Sequence, residues 1–249
     1  MRWRVIRQYS VGLCTLLLTG CSQYQWGWYV LDPFTAQGVR NLTFLIAGFG
    51  DTLRLSLLSM VLAMGLGLMV ALPALSPRRT LRQANRVYVE VVRAIPLLVL
   101  LLWIYYGLPV LFDLSLNHFT AGVMALSLAE SAFMAEVFRG GIQAIDRGQH
   151  EAAQALGLRD WQKMRLVILP QALRHILPPL GNQFIYILKM SSLVSVIGLS
   201  DLTRRANELV VTEYLPLEIY TFLVLEYLIL ILLVSYGVRR LEKKLALPQ

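Results

Sequence analysis

Cysteine is nearly absent: Cys14 and Cys21 are the only two in 249 residues. Both fall in or just past one apolar run near the N-terminus. Neither a disulfide framework nor a metal site of two-residue spacing can be built from them. There is no Gly-x-x-x-x-Gly-Lys-Ser/Thr phosphate loop, so the chain is not expected to bind or hydrolyse ATP itself. Despite a net charge of +8, no basic run is interleaved with aromatics, which argues against nucleic acid as a partner. The three histidines, His118, His150 and His175, are scattered and offer no shared metal site. Ten-residue tracts of alternating hydrophobicity are missing, which excludes a membrane β-barrel. No internal repeat of about 20–50 residues and no low-complexity tract is visible.

What the chain has in abundance is apolar sequence: 57% of residues are hydrophobic and the mean hydropathy is +0.59, against roughly 45–50% apolar in a soluble domain. In lipid the backbone polar groups must be satisfied within each segment, so long apolar runs imply an all-α membrane bundle. Five core spans are expected, at about 49–72, 95–112, 119–138, 177–199 and 217–238, each near the length a bilayer requires. The first is expected to stop before Pro73 and Pro77. Pro96, Pro178 and Pro179 are read as lying in first helical turns, where proline is tolerated.

Most of the 23 lysines and arginines flank these spans on one side. Arg78, Arg79, Arg82, Arg86 and Arg93 follow span one. Arg139, Arg147, Arg159, Lys163, Arg165 and Arg174 follow span three, and Arg239, Arg240, Lys243 and Lys244 follow span five. The alternate loops, 113–118 and 200–216, hold only Arg204 and Arg205. The bias predicts that the basic loops and the C-terminus are cytoplasmic and that span one starts outside. Upstream, Arg2, Arg4 and Arg7 precede an apolar run too short to span, which reads as a signal-like leader over residues 1–22. Its end, Leu18-Thr19-Gly20-Cys21, resembles the lipobox of bacterial lipoproteins; Cys21 is either lipidated there or an ordinary buried cysteine of a retained leader. Residues 23–48, with Trp26, Trp28 and Tyr29, read as an external segment at the membrane interface. Residues 49–240 form the membrane domain, interrupted by a loop at 139–176.

That loop holds the most unusual stretch of the chain, Glu151 to Pro170. Glu151 to Leu156 is built from helix formers and Gly157 ends the run. Asp160 is positioned to cap a second short helix, Trp161 to Ile168, closed by Pro170. Two short helices about a glycine hinge make a peg. Ala152, Ala153 and Leu156 form its apolar face, suited to insertion into a groove on another protein.

Inside the spans, Glu130, Glu136, Lys189 and Glu226 are costly to bury, by roughly 2.5–3.5 kcal/mol for such groups on insertion scales. At roughly 1.5 Å per residue, Glu130, Lys189 and Glu226 reach mid-membrane depth. They form either a pocket for a zwitterion, with Lys189, Ser191, Ser192 and Thr52 facing a carboxylate, or a Lys–Glu pair that only fixes packing. Glu136 reads as an ion pair with Arg139. Trp103, Tyr105 and Tyr106 read as an interfacial aromatic belt.

The peg carries a resemblance. Glu151-Ala152-Ala153, then Gly157, then Val167-Ile168-Leu169-Pro170 is similar to the signature loop of the membrane subunits of bacterial ATP-binding-cassette importers, with Val167 in place of isoleucine. Over about residues 45–245 the chain also resembles the polar amino-acid branch of that family. The patches are Gly50-Asp51-Thr52-Leu53, Arg93-Ala94-Ile95-Pro96-Leu97, Ala135-Glu136-Val137-Phe138-Arg139-Gly140-Gly141-Ile142, Arg147-Gly148-Gln149 and Ser191-Ser192-Leu193. Ala129-Glu130-Ser131-Ala132-Phe133 resembles the glutamate/aspartate permeases of that branch more than the histidine ones.

The resemblance implies a permease that pairs with a second permease, identical or homologous, in the inner membrane. Two copies of a separate ATPase, which carries the ATP and magnesium, would dock on Glu151, Ala152, Ala153, Gly157, Leu169 and Pro170. A periplasmic binding protein would deliver the small-molecule solute. The solute class is a polar amino acid, with another small solute (opine, sulfur compound or short peptide) or a non-transporting membrane scaffold as alternatives. Intramembrane charges on three spans argue against the scaffold.

Overall fold

The computed structural model describes residues 26–245. The signal-like leader and Cys21 lie outside the described residues. Among the described residues every regular element is helical. A 3-10 turn, Trp28–Leu31, precedes α1 (Ala36–Ile46) and α2 (Gly48–Ala74). Then come α3 (Arg79–Ala94), α4 (Leu97–Phe112), α5 (His118–Gln143) and α6 (Arg147–Ala155). The chain finishes with α7 (Asp160–Ile197), α8 (Leu202–Glu213) and α9 (Pro216–Leu245).

Helices α2, α5, α7 and α9 are each long and apolar enough to cross a membrane, and α3 with α4 is long and apolar enough only as a pair, bent by 93° at the break between them. Here the structure adds to the sequence-based expectation. The apolar segment expected from about Ile95 to Phe112 is α4, and the arginine-bearing stretch before it, read as a loop, is the helix α3. Ile95-Pro96 is the break between them, because proline cannot continue the hydrogen-bond ladder and biases its predecessor away from helix. Ile95 accordingly has an extended backbone. Span one also runs past Pro73 to Ala74. Pro178 and Pro179 lie well inside α7 rather than in a first turn.

Small residues bring the central helices together. Thr52, Ser56, Ser59, Ala63, Gly67 and Ala71 are buried in α2 at spacings of three and four, one stripe of the helix. At Gly67 a Cβ would sit 2.3 Å from the Met134 Cβ of α5. In lipid, close backbone approach of this kind supplies the packing contacts that an aqueous hydrophobic effect would otherwise provide. Toward the Gly48 end of α2, Leu55, Leu100, Leu101, Ile104, Leu126 and Val194 form one cluster across four helices. Toward the arginine-rich end, Ala71, Val89, Ala132 and Ala135 form another, which joins α3 to α2 and α5.

Outside the spans, α1, α8 and the start of α9 make a cap. Val30, Leu45, Ala206, Leu209 and Ile219 are its buried core. Asp201 starts α8 by accepting the Arg204 backbone N–H at 2.8 Å, and Gln37 and Asn41 of α1 donate to the Glu213 carboxylate at 3.0–3.2 Å. Arg204 pairs with Glu208 at 2.7 Å. Arg205 lies over the Phe44 ring and donates to the Phe44 carbonyl.

Candidate functional site

The peg occupies the arginine-rich end. Asp146 caps α6 by accepting the Gly148 N–H at 2.6 Å. The helix closes in a Schellman arrangement: Leu158 N–H donates to the Ala153 carbonyl at 3.1 Å and Gly157 N–H to the Gln154 carbonyl at 2.9 Å. Gly157 takes φ +73°, the left-handed region that costs other residues roughly 1–2 kcal/mol. A Cβ there would meet nothing within 4 Å, so the requirement for glycine is one of backbone conformation. Ala153 turns inward and is 2% exposed, while Glu151 and Ala152 are exposed. Leu156 and Trp161 stand 79% and 66% exposed on either side of the turn. The small apolar face expected from the sequence is therefore Ala152 and Leu156, joined by Trp161, with Ala153 as the packing residue beneath.

The second helix of the peg departs from expectation twice. Asp160 is its first residue, with Arg159 at the cap position, and Asp160 pairs with Lys163 at 2.8 Å. Lys163 and its hydrogen bond hold the exposed Asp160 carboxyl below its ordinary value. Nor does Pro170 end the helix. A π-helical turn over Met164–Ile168 precedes it, and this wider turn relieves the clash that a proline ring makes with the carbonyl four residues back. The peg is thereby continuous with span four. Gln171 locks the two parts by donating to Gln149 at 3.1 Å and to the Val167 carbonyl at 2.9 Å. Leu169 and Pro170 lie in this continuous segment and are both exposed.

In the middle of the bundle, Glu130 is 2% exposed and accepts a short hydrogen bond from the Gln183 side chain of α7. Next to it on α5, Ser131 meets the Tyr88 hydroxyl of α3 at 2.7 Å. Glu226 is 5% exposed, and neither carboxyl oxygen has a hydrogen-bond partner among the described residues. The expected meeting with Lys189 does not occur within the chain. The Lys189 side chain is exposed and forms no ion pair among the described residues.

Thr52 is fully buried and accepts the Leu202 N–H at 3.3 Å, which ties α2 to α8 away from Glu130. Ser191 and Ser192 donate to the carbonyls of Leu188 and Lys189, each at 2.8 Å. Gln183 was missed in the sequence reading, although a carboxamide inside an apolar span was the available signal. Glu136 and Arg139 form the expected pair, with contacts of 2.9 and 2.5 Å.

A five-span bundle with a continuous peg at its basic end has the form of a transporter's membrane subunit. The chain belongs to the family described as "Binding-protein-dependent transport system inner membrane component", which matches residues 63–247. It is 38% identical over 205 residues to the glutamine transport system permease protein GlnP of Escherichia coli, covering 82% of this chain and 94% of that one. It is 36% identical over 207 residues to the arginine transport system permease protein ArtQ of Bacillus subtilis, covering 83% and 94%. Among solved structures, a crystal structure of an amino acid ABC transporter with histidines superposes with a TM-score of 0.78 at 42% identity, covering 83% of this chain and 96% of that one. The methionine transporter MetNI, in an inward-facing form, shares the fold with a TM-score of 0.71 at 20% identity. The chain is thus a multi-pass membrane permease subunit of an importer system.

Proposed function

We propose that the chain is the permease subunit of an ATP-driven importer that carries a polar amino acid across the inner membrane. The observation that carries the mechanism is the peg, with its exposed Leu156 and Trp161 and its unbroken run into span four. A partner ATPase dimer, holding the ATP and magnesium, grips the peg, and movement in the partner reaches the bundle through α7. The π-helical turn at Met164–Ile168 sits between grip and span. A second permease, identical or homologous, completes the pathway, and a periplasmic binding protein supplies the solute at the opposite end. The arginine-rich loops and the C-terminus are cytoplasmic in this reading, in line with the charge bias.

The amino-acid class is supported by the relatives, whose names specify glutamine and arginine. It is also supported by the buried polar groups at the bundle centre, Glu130 with Gln183, and Glu226. Of the residues expected on the solute pathway, Glu130, Lys189 and Glu226 keep that assignment. Glu130 and Glu226 take the solute's ammonium, and the exposed Lys189 takes its carboxylate from the face turned toward the second permease. Thr52, Ser191 and Ser192 form the frame around them, since each is engaged with the backbone. The test is to purify the assembled transporter with its companions, reconstitute it in liposomes and measure ATP-driven uptake across a panel of amino acids. Uptake of a polar amino acid is expected. ATP-dependent uptake of some other solute class alone would overturn the reading.

A further inference from the structure

A cavity of about 420 Å³ opens at the arginine-rich end, walled by α3 on one side and the last turns of α5 on the other. Its charged groups divide into two kinds. On the α5 wall, Arg139 forks onto Glu136 and donates to Gln143 at 2.7 Å, so that wall is closed on itself. Arg82, at the lip, donates to the Ser76 and Pro77 carbonyls at 3.0 and 2.7 Å. The remaining charges all belong to α3. Arg86 and Glu90 make no hydrogen bond or ion pair among the described residues, and Arg93 lies over the Phe133 ring at 4.7 Å and within electrostatic reach of Glu136.

Residues 86, 90 and 93 are spaced by four and three, so the two cations and the carboxylate form one stripe of α3. A guanidinium is matched to a carboxylate by its fork of donors, and a carboxylate to an ammonium by charge-assisted hydrogen bonds. The volume lies within the range of small-molecule sites, roughly 300–1,000 Å³. Along α5, Glu136 is six residues from Glu130, roughly 9 Å at 1.5 Å per residue. The cavity is therefore set between the bundle centre and the arginine-rich end.

We propose that this cavity is a second solute station, an exit subsite for a zwitterionic α-amino acid. Arg86 and Arg93 take the carboxylate and Glu90 takes the ammonium. The subsite rests on the amino-acid import reading and adds to it a residue set on α3. It gives a role to the three exposed charges that α3 presents along one cavity wall. A solute leaving Glu130 meets a cavity whose charged wall replaces part of its hydration before release.

The experiment uses the assembled, nucleotide-free transporter in nanodiscs of neutral lipid, with labelled L-glutamine and, in parallel, L-arginine as probes. Two sites per permease chain are expected for whichever probe is imported. Arg86→Gln with Arg93→Gln should weaken one of them by roughly ten- to hundredfold, as expected from losing charge-assisted contacts, and leave the other unchanged. Glu90→Gln should weaken the same site. Unchanged isotherms in all variants, with the proteins shown intact by thermal unfolding, would overturn the subsite. So would a site that disappears when phosphatidylglycerol is added to the discs, because the cavity would then hold a lipid headgroup. Uptake by the same preparation separates the two readings: import with unaltered isotherms removes the subsite alone, and no amino-acid import removes the importer reading beneath it.

Discussion

Among the described residues, Gln183 on α7 is the sole hydrogen-bond partner of the buried Glu130 carboxyl on α5. The contact joins two helices of the bundle at a buried position. Interhelical hydrogen bonds in membranes contribute roughly 0.6–1.7 kcal/mol, and an unpaired buried acid adds a desolvation cost. Gln183→Leu should therefore lower stability by roughly 1–2 kcal/mol, near the top of that range. Thermal unfolding in detergent reads the loss. If solute is handled at Glu130, uptake should fall by more than the loss of folded protein explains, whereas Gln183→Asn, which keeps a donor, should retain part of it. Equal melting temperatures for Gln183→Leu and the parent would show that the bond is not maintained.

Asp201 gives a pH prediction. It lies between the fourth span and α8, outside the membrane-spanning segments. One oxygen caps α8, and the other is buried with no hydrogen-bond partner among the described residues. Burial pushes this carboxyl from its ordinary 3.8 up to about 7, against the hydrogen bonds from Arg204 and Thr203 that pull it down. Between about pH 4 and 7 the folded chain holds a proton that the unfolded chain has released, so Asp201 makes stability fall as pH rises through that window. Asp201→Asn keeps the cap and has no proton to lose. Its melting temperature should be flatter than the parent's between pH 4 and 7. An unchanged slope in the variant would assign the pH dependence to other groups.

The spans were legible where hydropathy alone decides, as in α2, α5 and α9, and the peg was legible through Gly157, whose left-handed backbone leaves few alternatives. Three things were not. Helix α3 was hidden because its arginines were read as loop charges, although they face a polar cavity while Val89 and Tyr88 pack inward. The start of α7 was hidden because Pro170 normally ends a helix, and only the π-helical turn ahead of it allows continuation. The partner of Glu130 was hidden because periodicity gives depth along a helix but not rotation against a neighbour. Lys189 and Gln183 were both at hand in span four, and only packing chooses between them. Helix α8 had a readable signal, Asp201 ahead of Leu202, Ala206 and Leu209, but its length suited a loop equally well.

The crossing of α7 and α9 can be tested by a paired substitution. A Cβ on Gly181 would lie 2.3 Å from Val238 Cγ1, with the Val238 Cβ at 3.4 Å. Gly181→Ala should therefore destabilise by overpacking, roughly 1–3 kcal/mol. Val238→Ala removes both clashing methyls and leaves a contact of ordinary length. The double variant should recover most of the loss, giving a coupling of at least ~1 kcal/mol in a double-mutant cycle. Additive effects would mean that the two helices can part at no cost.

Gly157 tests the peg, and two substitutions separate backbone strain from lost contact. The position is open, so a side chain there clashes with nothing. What it meets is φ +73°, which costs a β-branched residue at least the roughly 1–2 kcal/mol of the left-handed region and an asparagine much less. Gly157→Val should thus break the turn that sets α6 against α7, moving Leu156 relative to Trp161, without reducing the amount of folded permease in the membrane. In reconstituted vesicles ATP hydrolysis should continue while uptake per ATP falls roughly 5–30-fold, the factor that 1–2 kcal/mol represents. Gly157→Asn should retain most of the coupling. If valine and asparagine behave alike and both transport normally, the turn does not transmit force and the ATPase contact must lie elsewhere. If both fail equally, the missing side chain itself matters, because a partner's surface then presses directly on Gly157.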